Sequence, residues 1–246
     1  MSDVPIPEDW CKDPLSKFLN IANLNNIGVF DNYREWFSLL NEIYIAFDKF
    51  LTNALSLPVF LEPFFFQRAC SAYLATVRLA SSGELAEAHV LMRSVLEYSL
   101  YAIYINKDIN RSRVWIKRNK SDSDQKTMKK NFQIRTMIEE LERYNPDLAK
   151  KFRELYEFTI DVGAHPNPRA ILRGLTIEHT EDMVLYNLQS LDTDDLSLTL
   201  ALKKTAQVGI CSLLVFKMIF PERFEILGIS ADVDRISHTT IKGIPL

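Results

Sequence analysis

Three side chains that could share one chemical task stand four residues apart: His89, Arg93 and Glu97. On an α-helix this spacing puts them on one stripe, where neighbouring side chains touch. An arginine held by a glutamate one turn away can present its guanidinium to a phosphate, and His89 could contact the same ligand. The pair could equally be a structural ion pair that ties helices together, because a buried charge requires a partner. The sequence leaves both interpretations open.

A second group that could do chemistry is the histidine in the segment GAHPNP, residues 163–168. The two prolines that follow, Pro166 and Pro168, restrict the backbone, so His165 would point in a fixed direction and could act as a general acid or base. Asn167 could orient His165 or a ligand. The alternative is a helix stop whose two side chains satisfy loose backbone groups. We expect His165 to reach Glu97, because a rigid His-Pro turn at a helix end suits reaching inward to a buried carboxylate. Such a contact would favour the charged imidazolium.

The third candidate is the basic segment from Lys107 to Arg135, in which ten Lys and Arg face three Asp, a local charge of +7. The whole chain has a formal charge of -3, so the remainder carries -10. Trp115, Lys117 and Arg118 combine an aromatic ring with cations, which suits binding a nucleic-acid backbone and stacking on a base. A solvated helix face is the alternative.

Several catalytic motifs are absent from the sequence. There is no Glu-x-x-His pair for a di-iron bundle, no His-Glu-x-x-His, no glycine-rich phosphate loop and no Gly-x-Ser-x-Gly elbow. We therefore predict no metal site and no cofactor.

These candidate groups are positioned by predicted helices. The stretch 84–106 contains neither Gly nor Pro and is apolar nearly all round, which predicts a helix buried in the middle of a bundle. Its antiparallel neighbour is predicted at 61–82, across the break Ser81-Ser82-Gly83. Further helices are predicted at 31–56, 108–120 and 146–163. Another is predicted to begin near residue 132, and the last to begin within 192–195 and to end at Pro221. A polar break is predicted at 121–125.

The remaining segments complete the predicted fold. Residues 1–30 read as an extended lead-in, 31–222 as the bundle domain and 223–246 as a tail with weak signals. Two runs with high β-propensity flank Thr180-Glu181-Asp182: ILRGLTIEH before it and MVLYNLQSL after it. This arrangement predicts a hairpin. The predicted fold class is mainly all-α: an up-and-down helical bundle with a small β-hairpin insertion after the His-Pro turn.

Composition also indicates a compartment. Cys11, Cys70 and Cys211 are odd in number and far apart, which is typical of reduced thiols in the cytoplasm. The N-terminus lacks the pattern of a secretory signal, and the apolar run VGICSLLVF is about half a membrane span. We predict a cytoplasmic protein with no membrane association.

Two motifs together carry a resemblance. RSVLEYSLYAIYI, followed some seventy residues later by YEFTIDVGAHPNP, resembles a bacterial family of unknown function in the HEPN-like group, over about residues 35–220. Members share an Arg-x-x-x-Glu core helix and a His-Pro turn. The resemblance implies a helical bundle that forms a homodimer and, as in many HEPN proteins, a metal-independent RNase of toxin or defence systems. Its catalytic residues would be Arg93, Glu97, His165 and Asn167.

The HEPN nuclease signature itself is an Arg and a His separated by four to six residues. Here Arg153 precedes His165 by twelve positions, whereas Arg173 and His179 have the spacing but fall in the predicted hairpin. Two functions stay open: a metal-independent RNase or RNA-binding protein, with RNA or a nucleotide as partner, and a non-catalytic interaction or ligand-binding bundle.

Overall fold

The computed structural model describes residues 5–53, 61–164, 168, 172, 175–180, 183–241 and 243–246. The protein is 76% helical, which confirms the mainly α class. Its helices are α1 (Pro14–Asn32), α2 (Arg34–Thr52), α3 (Glu62–Ser82), α4 (Leu85–Asn106), α5 (Ile109–Lys117), α6 (Asp122–Asn131), α7 (Ile134–Tyr144), α8 (Pro146–Thr159), α9 (Asp195–Ile219), α10 (Pro221–Ile226) and α11 (Ile229–Ser237). Two small antiparallel sheets pair β1 (Leu175–His179) with β2 (Val184–Leu188) and β3 (Thr240–Ile241) with β4 (Ile244–Pro245).

The predicted central helix, α4, lies in the middle of the bundle between α3, α8 and α9. Leu96, Met92 and Val95 on it are fully buried, as the apolar composition of this stretch predicts. Contacts along the α3–α4 pair join Arg68 with Tyr98, Phe65 with Tyr101 and Glu62 with Asn106. Because residue numbers fall on α3 as they rise on α4, the two helices run antiparallel, as predicted.

Helix α9 is the second core helix. Its Ser212 accepts a hydrogen bond of 2.9 Å from Ser99 of α4, with both side chains fully buried. A Cβ at Gly209 would lie 2.6 Å from the ring of Tyr73, so glycine permits α9 to approach α3 closely. By length and composition α9 could cross a membrane, but 67% of its apolar window is buried inside the bundle. That burial is typical of a core helix in a soluble protein.

The predicted hairpin is confirmed. Strands β1 and β2 pair antiparallel with Leu175 opposite Leu188 and His179 opposite Val184. The backbone N–H of Thr180 bonds to the carbonyl of Met183 across the turn. Residues 181 and 182 lie outside the described residues.

The extended lead-in predicted for residues 1–30 is wrong, because residues 14–32 form α1. Asp13 caps this helix by accepting from the Ser16 backbone N–H at 2.9 Å, and Pro14 occupies the first turn, where proline is tolerated. The sequence signal was weak because only Ser16, Ala22 and Val29 are buried. Consequently the helix predicted to begin at residue 31 begins at Arg34, because Asp31 and Asn32 belong to the end of α1.

The polar break predicted at 121–125 is also wrong. Ser121 caps α6 by accepting from the Asp124 backbone N–H at 3.1 Å, and its hydroxyl donates to the Asp124 carboxylate at 2.6 Å. This reciprocal pattern resembles a capping box with Asp in place of Glu, so polar residues that suggested a loop in fact begin a helix.

The predicted C-terminal tail, residues 223–246, joins the same core. Phe224, Ile229 and Val233 are fully buried. Helix α11 packs on α2, where Arg235 pairs with Glu42 at 2.7 Å. The short helices α10 and α11 were not predicted, although Ile229, Val233 and Ile236 of α11 recur at helical spacing and are buried.

Candidate functional site

The predicted polar stripe lies along one side of α4. Arg93 Nε donates a hydrogen bond of 2.8 Å to Glu97 Oε1, one turn further along the helix. The two side chains are 27% and 33% exposed, so the pair lies at the boundary between core and solvent. The structure therefore brings Arg93 and Glu97 together, as their four-residue spacing predicted.

Tyr156 of α8 joins this pair. Its hydroxyl donates to the same Glu97 Oε1 at 2.9 Å, and the Arg93 guanidinium lies 5.2 Å from the centre of the Tyr156 ring. Burial and the Glu97 carboxylate raise the pKa of Tyr156, which keeps its proton on the phenol. Burial alone would lower the pKa of Arg93, but the hydrogen bond to Glu97 raises it overall. We call Arg93, Glu97 and Tyr156 the charged network.

His89, two turns before Glu97, lies deeper in the molecule. It is only 1% exposed, and its ring meets Phe158 of α8 edge-on with 5.3 Å between the ring centroids. Lys204 of α9 places its ammonium 4.9 Å from the centre of the same phenylalanine ring. His89 therefore packs at the junction of α4 and α8, and its predicted role in ligand binding stays a prediction.

The chain leaves α8 through a π-helical turn, Ile160–Ala164, which packs directly on α4. A Cβ atom at Gly163 would lie 2.4 Å from the Ala86 carbonyl oxygen and 2.9 Å from the His89 Cβ. A side chain at this position would clash with the α4 backbone, so glycine is needed for the contact. The turn Ile160–Ala164 is thereby held against α4 beside His89, just before the predicted His-Pro turn.

Two of the four predicted catalytic residues, His165 and Asn167, lie outside the described residues, and so does Arg173. His179, which the HEPN-like spacing pairs with Arg173, lies exposed on strand β1. The predicted contact between His165 and Glu97 therefore stays a prediction.

A cleft of about 600 Å³ between α7 and α8 borders the charged network at Tyr156. Two arginines and three glutamates line it. Arg135 pairs with Glu139 and Arg153 with Glu142, both at 2.9 Å. A phosphate would therefore meet a lining of net negative charge whose cations are already paired, which argues against an RNA-backbone site in this cleft.

The basic segment forms two exposed helices, α5 and α6, joined by four residues. We call residues 109–131 the basic arm. Asp108 caps α5 by accepting from the Asn110 backbone N–H at 2.9 Å, as predicted, and no residue of α6 is buried. Five exposed lysines of the arm form no ion pair with any described residue; they are Lys117, Lys120, Lys126, Lys129 and Lys130.

Trp115 attaches the arm to the bundle. Its half-buried ring meets Phe65 of α3 at 5.2 Å between centroids, with an interplanar angle of 60°. The Arg118 guanidinium lies 5.8 Å from the centre of the Trp115 ring, and Arg118 and Lys117 are exposed. The tryptophan thus has a packing role, and stacking on a base stays a prediction.

Fold and site together define a class: a mainly α-helical bundle with one half-buried charged network and one exposed basic arm. Across the described ranges, no group of three or more His, Cys, Asp or Glu side chains could hold a metal ion. Comparison of the chain with protein-family models, with curated proteins and with solved structures found no match. The comparisons therefore neither support nor contradict the HEPN-like resemblance.

Sequence reasoning missed Tyr156 and Phe158, which join α8 to the stripe. Both occur in YEF on α8, where an aromatic pair two positions apart would ordinarily indicate only packing. Tyr156 is 59 positions from Glu97, so no local spacing could connect them.

Proposed function

We propose that this protein is a cytoplasmic, HEPN-like helical bundle that binds RNA through its basic arm. One observation carries the proposal: the five exposed lysines of the arm make no ion pair among the described residues. Cations that the fold leaves unneutralised are available to phosphates, whose condensed counterions they displace. The choice of RNA over other polyanions rests on the resemblance.

The charge distribution favours contact with RNA through the basic arm alone. The basic segment carries +7 in a chain of net charge -3, so the rest of the surface repels a polyanion. Because the arm offers lysines and only a half-buried tryptophan, we expect binding to depend on the backbone and to be largely independent of sequence.

Fluorescence anisotropy of a labelled single-stranded RNA over a salt series tests this proposal. The triple variant Lys126→Gln, Lys129→Gln and Lys130→Gln removes three adjacent cations of α6 and should weaken binding at least about tenfold. The slope of log affinity against log salt should become shallower by about two, because each neutralised phosphate of a single strand contributes about 0.7 to that slope.

The matched control changes three exposed lysines outside the arm: Lys12→Gln, Lys17→Gln and Lys150→Gln. It alters the net charge by the same amount and should leave both affinity and salt slope nearly unchanged. If the control weakens binding as much as the arm variant does, the arm has no special role.

A second candidate function is metal-independent cleavage of the bound RNA. Gly163 holds the chain against α4 just before His165, and Arg93 keeps 27% of its side chain exposed. In this scheme His165 takes the proton of the 2′-hydroxyl, whose oxygen attacks the adjacent phosphorus; the P–O5′ bond breaks to leave a 2′,3′-cyclic phosphate, and the leaving 5′-oxygen takes a proton from water. Arg93 stabilises the developing negative charge, and Glu97 and Asn167 orient the two side chains.

Cleavage is tested with excess EDTA present. His165→Ala should abolish cleavage while RNA affinity is retained, and Arg93→Lys should reduce it while a cation is kept in the network. If wild-type protein leaves the RNA intact, the bundle is a non-catalytic binding protein. If His165→Ala cleaves as fast as the wild type, His165 is not the general base and the proposed scheme is wrong.

The proposal includes a homodimer. Helix α1 exposes Ile21, Leu24 and Ile27 at three-residue steps, each at least 50% exposed. Exposed apolar side chains on one helix are typical of an interface, and two copies would bury them about a two-fold axis. Light scattering should give twice the chain mass, and Leu24→Lys should give the monomer mass; a monomeric wild type contradicts the dimer.

A further inference from the structure

A second pocket lies between α8 and α9, built from residues that belong neither to the charged network nor to the basic arm. Its volume is about 130 Å³. The apolar part of its lining includes Leu148 and Leu155 of α8 and Ile210 and Leu214 of α9. For scale, a dry apolar cavity of about 150 Å³ accepts a molecule the size of benzene. The pocket therefore has room for an apolar group of about six carbon atoms.

The polar groups of this pocket are mainly donors. Lys204 is half-buried and forms no ion pair with any described residue, although its ammonium lies over the Phe158 ring. Lys151 stands exposed and also lines the pocket, together with Glu154. The side chains of the lining thus carry two cations and one anion, so their net charge favours an anionic ligand over a cationic one.

Gln207 adds a group that lacks a partner. Its Oε1 is buried and makes no hydrogen bond with the described residues. A buried carboxamide oxygen without a donor costs free energy, and rotating the amide by a half-turn would present its N–H groups instead. In the rotated orientation, the Gln207 N–H groups can donate hydrogen bonds to a carboxylate bound in the pocket.

We propose that this pocket binds a small monocarboxylate with an apolar body of about five to six carbons, such as hexanoate or benzoate. The carboxylate pairs with Lys204, at the level of Gln207, while the apolar body lies among the leucines and Ile210. Burial and the neighbouring Lys203 lower the pKa of Lys204, whereas Glu154 acts against them, and a bound anion would act in the same direction as Glu154. The site is independent of the proposed RNA function.

Isothermal titration calorimetry on the full chain tests the pocket with ligands of matched shape. Hexanoate and benzoate should bind saturably at millimolar concentration or below, whereas hexan-1-ol and hexylamine should bind at least about tenfold more weakly, because they lack the anion that Lys204 requires. Equal binding of the alcohol or the amine overturns the proposed chemistry. The absence of saturable carboxylate binding up to about 10 mM overturns the site.

A variant pair locates the interaction. Lys204→Met keeps the unbranched stem and removes the charge, and it should weaken hexanoate binding at least about tenfold. Lys203→Met changes the adjacent lysine, which does not line the pocket, and should have little effect. If Lys204→Met does not fold, Lys151→Met provides the same comparison from the other helix. Unchanged affinity in the Lys204 variant, or in the Lys151 variant when it is used, excludes this pocket.

Discussion

The charged network and the basic arm use their charges in opposite ways. In the network, one carboxylate oxygen of Glu97 accepts from both Arg93 and Tyr156 at the boundary of the core. In the arm, lysines extend into solvent on a helix without a single buried residue. Charges in the first region are paired with one another inside the fold, whereas the lysine charges of the second make no ion pair among the described residues.

A second contrast shows why spacing alone does not separate such regions. Arg93–Glu97 and Arg135–Glu139 have the same order, the same four-residue step and nearly the same Nε–Oε1 distance, 2.8 and 2.9 Å. The first pair is 27% and 33% exposed, the second 89% and 50%. Ion pairs gain strength as water is excluded, so identical sequence patterns carry different weight.

The largest difference between the regions should appear in packing. Leu96→Ala, at a fully buried position of α4, should lower the free energy of unfolding by about 2–5 kcal/mol, through lost burial and a residual cavity. Met128→Ala, at a half-buried position of the arm, should cost less than about 1 kcal/mol. Urea denaturation measures both, and a near-neutral Leu96→Ala would refute the placement of α4 in the core.

The next effect concerns the matched ion pairs. Glu97→Ala removes the acceptor shared by Arg93 and Tyr156 and should cost about 2 kcal/mol. Glu139→Ala removes the equivalent partner from the exposed pair and should cost less than about 0.5 kcal/mol. If urea denaturation gave equal losses in the free energy of unfolding for both variants, the partial burial of the charged network would contribute nothing to stability.

A smaller effect depends on pH. Tyr156→Phe deletes one hydrogen bond to Glu97 and should cost about 1–2 kcal/mol at pH 8. Because folding raises the pKa of Tyr156, the stability from its protonated phenol is complete below the unfolded pKa of about 10 and declines as pH rises above it. Above about pH 10 the wild type therefore loses the stabilisation from its protonated phenol, which the Phe variant never had. The difference in the free energy of unfolding between the two proteins should narrow. A gap that widens above pH 10 would contradict the raised pKa.

The smallest effect on stability should come from the arm itself. The triple glutamine variant of Lys126, Lys129 and Lys130 should change the free energy of unfolding by no more than about 0.5 kcal/mol, because these side chains are exposed and make no ion pairs among the described residues. The same variant is expected to lose RNA affinity. A large loss of stability would show that the fold requires the arm lysines, as it requires the charged network.

Local signals in the sequence predicted much of the fold. Helix α4 follows from a long stretch without Gly or Pro, and Asp108 caps α5 as its position indicated. The hairpin follows from two β-leaning runs around a polar turn. Helices α1 and α6 also had local signals, Asp13-Pro14 and Ser121-x-x-Asp124, which were outweighed by their loop-like composition.

The sequence by itself determined the pairing of Arg93 with Glu97, because residues four apart on a helix touch whatever the rest of the chain does. Only the tertiary structure decided that Tyr156 shares Glu97 and that Trp115 packs on Phe65. It likewise set Lys204 over Phe158, beside a pocket between two helices. The physical reason is range: backbone geometry relates residues within one or two turns, whereas burial, and with it the strength of each charge, depends on helices that meet from distant parts of the chain.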